Sequence, residues 1–293
     1  VPTAANVTIS GFLMKHAGTQ AQGWAIGNND QLNFTIKNST LSDAHGGMLN
    51  FGGGDLFPKA TGNILTRAGN TAIASYNDGH ATIQGNTISN SGFGGWDWTC
   101  QAGGVKMVFS HNLLMDGNTV TNVNGPGLWC DIQCDSVTIV NNHTADSPGP
   151  GIFYEISTNA SISGNLIERA GGSAYPGLYI SSSSSTDVAN NTVRDSYRGI
   201  QAYDQDRTDK PGSMNNVFLH DNNVYMNHDG LAMFIGDYGN NSSTTANNRG
   251  SNNHFKYPNA ENGVPRWQYG LRTDSTLTGF RTTALGQGAT YLP

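Results

Sequence analysis

No apolar run in this chain approaches the roughly 18 residues that a membrane span needs, and no long stretch carries apolar residues at helical spacing. Neither a membrane-spanning helix nor a mainly helical protein is therefore expected. Charge is also scarce. Asp, Glu, Lys and Arg supply 12% of the chain, too little for a disordered polyelectrolyte. Acidic residues outnumber basic ones, 21 against 15, for a net charge of −6. No basic patch stands out, so a nucleic-acid partner is not expected. The same balance gives a strongly anionic polymer little long-range attraction. The opening VPTAANVTIS has neither a basic nor an apolar leader, so a signal peptide is expected to be absent or already removed.

Cysteine is nearly absent. Cys100, Cys130 and Cys134 leave one odd thiol. Three free thiols remain open, as does a disulfide from Cys100 to Cys130 or Cys134 in an oxidising compartment. A metal held by Cys130 and Cys134 is disfavoured, because no further Cys or His lies at a ligand spacing. The eight histidines show no such spacing either and read as surface or corner residues.

What the chain does have is glycine, 38 of 293 residues, with abundant Asn, Ser and Thr among scattered β-branched residues. That mixture points to many short strands and tight turns. It is also periodic. TISGFLM, TIKNSTL, KATGNIL, TIQGNTI, LMDGNTV, TIVNNHT, SISGNLI, DVANNTV and FLHDNNV are copies of one pattern. The equivalent position is Phe12, Ser39, Asn63, Asn86, Asn118, Asn142, Asn165, Asn191 and Asn222, stepping along the chain by 27, 24, 23, 32, 24, 23, 26 and 31. A period of about 24 residues fits one turn of a solenoid with three short strands and three corners. Asn suits a corner because its amide bonds to the backbone and to its own stacked copies, and because it tolerates left-handed backbone angles. The fold expected is all-β: a single right-handed parallel β-helix over residues 1–239, closed by a polar loop and C-terminal capping segment over 240–293. The repeat fades after about Met233, and LTGFRTTALG near the end reads as a short helix in the cap.

A second ladder predicts a surface. GVKMVF, GLWCDI, GIFYEI, GLYISS and GIQAYD open at Gly104, Gly127, Gly151, Gly177 and Gly199, with GMLNF at Gly47 and GLAMFI at Gly230 as weaker members. Strand side chains alternate faces. Val105, Leu128, Ile152, Leu178 and Ile200 should point inward, followed by Met107, Cys130, Tyr154, Ile180 and Ala202. Lys106, Trp129, Phe153, Tyr179 and Gln201 then form one outward column. Val108, Asp131, Glu155, Ser181 and Tyr203 form another. Stacked turns lie about 4.8 Å apart, so Asp131 and Glu155 become outer-face neighbours beside an aromatic strip. Like charges that close repel, and one pKa should rise.

Paired carboxylates beside aromatic rings suit sugar chemistry: ring faces stack on pyranoses while carboxylates bond hydroxyls or move protons. Lys106 is placed to neutralise a carboxylate, bind an acidic sugar or act as a base. The bland reading is that the aromatics pack under long loops and that Asp131 is ion-paired with Lys106 or Arg207. Two long insertions flank this face, Gly92–Gly104 and Asp204–Ser213. They offer Trp96, Trp98, Asp204 and Arg207 as groove walls; Asp97 and Asp206 fit turns better than catalysis.

AGGVKMV, GPGLWCDI, GPGIFYEIS, GLYISSSS, the QDR at 205–207 and the closing RWQYG and LTGFRTTALG resemble a group of secreted bacterial right-handed parallel β-helix repeat proteins. The broader architecture includes pectate and alginate lyases, epimerases, polygalacturonases and other glycoside hydrolases. The polygalacturonase motifs (Asn-Thr-Asp, Asp-Asp, Gly-His-Gly, Arg-Ile-Lys) and the Asp-Pro-His of alginate epimerases are absent. The resemblance implies a secreted protein that binds or cleaves polysaccharide along one sheet. The leading expectation is a monomeric glycoside hydrolase that uses Asp131 and Glu155 and needs no cofactor. The alternatives are a lyase or epimerase holding Ca²⁺ at those carboxylates, with Lys106 or Arg207 as base, and a non-catalytic glycan-binding or structural solenoid.

Overall fold

The computed structural model describes residues 5–18, 20, 23–205, 207, 214–238 and 246–293, apart from the side chain of residue 29. The expected β-helix is what the chain forms. Three sheets of 10, 11 and 11 short strands run along it, and nearly all pairings are parallel between consecutive turns. The first sheet runs from Thr8–Ser10 to Arg249–Ser251, the second from Leu13–Lys15 to Thr290–Tyr291, and the third from Trp24–Asn29 to Arg272–Asp274. A parallel neighbour can be reached only through a crossover. Here the other two strands of each turn are that crossover, so nearly every strand pairs with its copy one turn away.

The corner between the first and second sheets shows why the repeat reads Gly-Asn or Asn-Asn. Two adjacent residues divide the work. The first takes the left-handed backbone: Asn38, Gly62, Gly85, Gly117, Asn141, Gly164, Asn190, Asp221 and Asn252 have φ between 48° and 65°. Only residues tolerant of that region fit there. The second is the ladder residue, buried from Ser39 to Asn222. From Asn86 to Asn222 each ladder amide oxygen accepts both the backbone N–H and the side-chain N–H of the rung before it, as Asn118 Oδ1 does from Asn86 at 3.0 Å and 3.0 Å. Its NH₂ also reaches a strand carbonyl, Ile83 O at 2.8 Å in the case of Asn118. The left-handed conformation thus belongs to the residue before the ladder position, not to the ladder Asn.

Two details depart from the expected ladder. Phe12 contributes only its backbone N–H, to Ser39 Oγ, and its ring is exposed. At the other end the repeat does not stop near Met233. Asn253 adds a rung that accepts from Asn222, and Arg249–Ser251 and His254–Lys256 extend the first two sheets by a turn. Beyond them Arg272–Asp274 turns antiparallel against Trp267–Tyr269. The short helix Leu277–Phe280, capped by the Thr276 side chain, follows. Its Phe280 stacks on the fully buried Trp267 with ring centroids 5.1 Å apart, so aromatic residues plug the C-terminal end of the core.

The inward set of the third sheet is as the alternation predicts. All ten residues from Val105 to Ala202 lie buried in the central core. In the weaker members the register is displaced: Leu49 and Met233, rather than the residue next to glycine, align with that column. Glycine at the strand entry is required by space. A Cβ on Gly127 would lie 2.5 Å from Gly151 O, and one on Gly104 would lie 2.4 Å from Gly127 O.

Candidate active site

The outer face of the third sheet carries the predicted columns in the predicted register. Lys106, Trp129, Phe153, Tyr179 and Gln201 align strand to strand, and so do Val108, Asp131, Glu155, Ser181 and Tyr203. Asp131 pairs directly with Glu155. Neighbouring strands set their backbones about 4.8 Å apart.

The face is covered, however, rather than open. Trp129, Phe153 and Tyr179 form a second apolar cluster, separate from the core, with Tyr175 and Tyr203 packed against it. The insertion around Trp98 and the residues Gln205 and Arg207 approach from above to line a cavity of about 110 Å³ with Glu155 at its wall. Trp98 meets Tyr175 edge to face at 5.2 Å.

The expected aromatic platform has its faces already engaged. Trp129 stacks on Phe153 at 5.3 Å and Phe153 on Tyr179 at 5.0 Å, with the ring planes nearly parallel in both cases. Lys106 Nζ sits 3.6 Å from the centre of the Trp129 ring. A sugar on this face meets ring edges and the Tyr179 end of the stack. The cause is the strand repeat itself, about 4.8 Å, which is close to the spacing of offset-stacked rings.

The carboxylates are each held by a cation. Lys106 Nζ lies 2.9 Å from Asp131 Oδ2 and also donates to Cys100 O at 2.6 Å. Arg207 Nη2 lies 2.8 Å from Glu155 Oε1. Trp129 Nε1–H donates to Glu155 Oε2 at 3.2 Å. A chain of bonds continues outward, from Arg207 Nε to Gln205 Oε1 at 2.8 Å and from Gln205 Nε2 to Tyr179 Oη at 3.1 Å. Lys106 is therefore a clamp on Asp131, not a free base.

Glu155 is 4% exposed. Burial raises its pKa most, and the charge of Asp131 adds to that. Arg207, Lys106 and the Trp129 hydrogen bond oppose the rise without cancelling it, and the carboxyl ends at about 7. One of the pair is raised, as the like-charge argument requires, although desolvation is the larger cause.

Several expected residues lie elsewhere. Asp204 shares its facing with Ile200 and Ala202, is buried, and accepts from Met214 N at 3.1 Å; it does not wall the groove. Trp96 turns away to meet His45 edge-on at 6.1 Å. Gln201 and Tyr203 line a larger cavity of about 380 Å³ next to the Glu155 cavity, with Tyr175 and Tyr179 shared between the two. Asp206 lies outside the described residues, while Asp97 is the turn-former expected, accepting from Thr99 N at 3.0 Å. Tyr154 is a core residue, its hydroxyl donating to Thr158 O at 2.5 Å. All three cysteines are free thiols: Cys130 and Cys134 are buried and Cys100 is exposed, so the Cys100 disulfide does not form. Sequence reasoning missed Tyr175 and Gln205, both set by loop paths rather than by the strand repeat.

A third cavity, of about 280 Å³, lies on the N-terminal side and reaches Lys106, Asn50, Ala74 and Tyr76. The outward column from Asn50 to Gln268 crosses nine successive strands. At the strand spacing that is a face roughly 38 Å long. Among the described residues no group of three acidic, His or Cys side chains is arranged to hold a metal ion, and no helix is long and apolar enough to cross a membrane.

Solved structures similar to this one share its architecture at low identity. The A-module of an Azotobacter vinelandii mannuronan C-5 epimerase superposes with a TM-score of 0.68 at 13% identity, covering 98% of this chain and 74% of that one. A Yersinia enterocolitica family 28 exopolygalacturonase gives 0.56 at 10% identity, over 90% and 62%. An alginate lyase from a Paenibacillus species gives 0.53 at 16%, over 91% and 90%. At such identities the likeness concerns the fold. A comparison of the sequence with curated proteins finds no match. The family model described as right handed beta helix region matches residues 24–193, more than half of the chain. With its three sheets and corner ladder matching that description, the chain belongs to the right-handed β-helix family.

Proposed function

We propose that this protein is a secreted, polysaccharide-active enzyme, and specifically a glycoside hydrolase acting at Glu155 and Asp131. The observation that carries the reading is Glu155 itself: a carboxyl buried beside a second carboxylate, with its pKa raised to about 7. A proton held near neutral pH is what a general acid for glycosidic oxygen needs. Glu155 donates that proton to the leaving oxygen. Asp131, one strand away, attacks the anomeric carbon or stabilises the charge that develops there. The strand spacing is close to the roughly 5–5.5 Å carboxyl separation of retaining enzymes. Lys106 holds Asp131 in place, and Trp129 orients Glu155.

The cavities on either side of Glu155 support a substrate laid along the helix axis. Epimerase, polygalacturonase and lyase neighbours on the same fold also support a polysaccharide substrate. A calcium-assisted lyase fits less well. Ca²⁺ takes six to eight oxygen ligands, whereas here one oxygen of each carboxylate is already met by Lys106 or Arg207. We therefore propose a reaction with no metal requirement, carried out by a monomer. The two ion pairs and the self-stacked rings do favour one second reading, a non-catalytic glycan-binding solenoid.

The test is a polysaccharide panel incubated with the protein and with its Glu155→Gln and Asp131→Asn variants, with and without chelator. Reducing ends without ultraviolet absorbance, lost in both variants, are the expected result. Absorbance from an unsaturated product that disappears with chelator would mean a calcium lyase. Binding without product would leave the glycan-binding solenoid.

A further inference from the structure

The cavity beyond Tyr179 has chemistry of its own. Arg198 opens the strand Arg198–Asp204 and lines the 380 Å³ cavity. Its guanidinium donates to the Gln201 amide oxygen at 3.2 Å and lies 5.4 Å from the centre of the Tyr197 ring. No acidic side chain among the described residues makes an ion pair with it. The cations of the adjoining Glu155 site differ, since Lys106 and Arg207 each have an acidic partner. Asp237 lines the same cavity, but it faces the same way as the inward Ile235 and lies opposite Asp204 on the neighbouring strand. Gln268 and the rings of Tyr175, Tyr179, Tyr203 and Phe234 are also among its walls.

We propose that this cavity is a subsite for one anionic sugar residue, with Arg198 pairing the sugar's carboxylate or sulfate. The inference rests on the groove being a polysaccharide site and names the substrate class. A guanidinium presents a planar fork that fits such an anion with two parallel hydrogen bonds. Gln201 fixes its orientation in advance. The shared Tyr179 wall places the anionic residue next to the one at Glu155. A single cation sets the selectivity, which suits a protein of net charge −6: the anion is recognised at one position, not gathered by long-range attraction. An acidic residue is thus read beside the reacting bond.

The experiment is calorimetric titration of the Glu155→Gln protein, in which turnover is removed, with size-matched oligosaccharides. Oligogalacturonate and oligomannuronate supply carboxylates, carrageenan oligosaccharides supply sulfates, and cello- and manno-oligosaccharides are the neutral controls. One acidic series is expected to bind in preference to the neutral ones, and which series it is identifies the anion. Adding Arg198→Gln should weaken that series about 10- to 100-fold, the scale of a lost charge-assisted hydrogen bond, and leave neutral binding unchanged. Arg198→Lys, which keeps the charge without the fork, should fall between. Equal binding of neutral and acidic series, equal weakening of both, or no binding of any acidic series overturns the subsite. Product assays with the unmodified protein keep the two readings apart. Arg198-dependent binding without any product removes the hydrolase and keeps the subsite. Cleavage of neutral glycans unchanged by Arg198→Gln does the reverse.

Discussion

Replacing Glu155 by Gln should stabilise this protein at pH 8 relative to pH 4, and the size of the effect follows from the site. The carboxyl is moved from an ordinary 4.5 to about 7, first by burial and then by Asp131. Below pH 4.5 it is protonated in folded and unfolded chains alike and adds no pH dependence. Between 4.5 and 7 the unfolded chain ionises while the folded one keeps its proton, so stability falls as pH rises. Above 7 the cost is constant. The displacement corresponds to about 3 kcal/mol. Gln approximates the protonated acid and removes this cost. Its NH₂ also meets Arg207 or Trp129 less well than a carboxylate oxygen does, but that offset does not vary with pH. The quantity to measure is therefore the difference in melting temperature between variant and parent at pH 4, 6 and 8. It should move in the variant's favour by several degrees across that range, at about 2 °C per kcal/mol for a chain of this size. A difference that stays flat with pH would show that Glu155 does not titrate near neutrality, and the general-acid assignment would fall with it.

Other consequences can be checked separately. If Glu155 is the acid, hydrolysis should decline above about pH 7 in a pH–rate profile; Trp129→Phe removes a hydrogen bond to the ionised form and should move that limb upward. Asn118→Ala leaves the buried backbone N–H of Asn86 without its acceptor and deletes the amide's bonds to Ile83 and Asn142. A loss of about 3 kcal/mol in denaturant unfolding is expected, and a loss below about 1 kcal/mol would contradict the ladder's structural weight. Asp78, whose carboxyl burial pushes up to about 6, should give a milder version of the Glu155 result: Asp78→Asn gains on the parent as pH rises from about 4 to 6 and holds that gain above. In the native state a thiol reagent should modify Cys100 and leave Cys130 and Cys134 unreacted until unfolding, whereas no reactive native thiol would point to a disulfide.

Much of the site was readable because a solenoid is governed by nearest neighbours. Each turn repeats the previous one, so spacing along the chain fixes register across the sheet. Asp131 beside Glu155, and Trp129 beside Phe153 and Tyr179, follow from glycine-opened strands one repeat apart and from alternation within them. The ladder was equally plain, since its rungs share one local pattern.

The limits appear where local pattern stops deciding. Asp204 opens an insertion and by sequence suits a groove wall, yet strand alternation carries it inward with Ala202. Trp96 and Trp98 sit close together on one loop, and only the path of that loop sends the first to His45 and the second to Tyr175. Asn253 sits beyond an insertion that hides the repeat, and the ladder resumes there because Asn222 still offers an N–H to be met.

The β-helix, its corner ladder and the two outward columns were legible in the chain alone, because they depend on two periods along it, the alternation of a strand and the length of one solenoid turn. Only the folded molecule shows which cation meets which carboxylate, and that Arg198 faces a cavity with no ion-pair partner among the described residues. Those outcomes depend on rotamers and loop paths that bring together residues with no fixed spacing between them, and no period encodes such meetings.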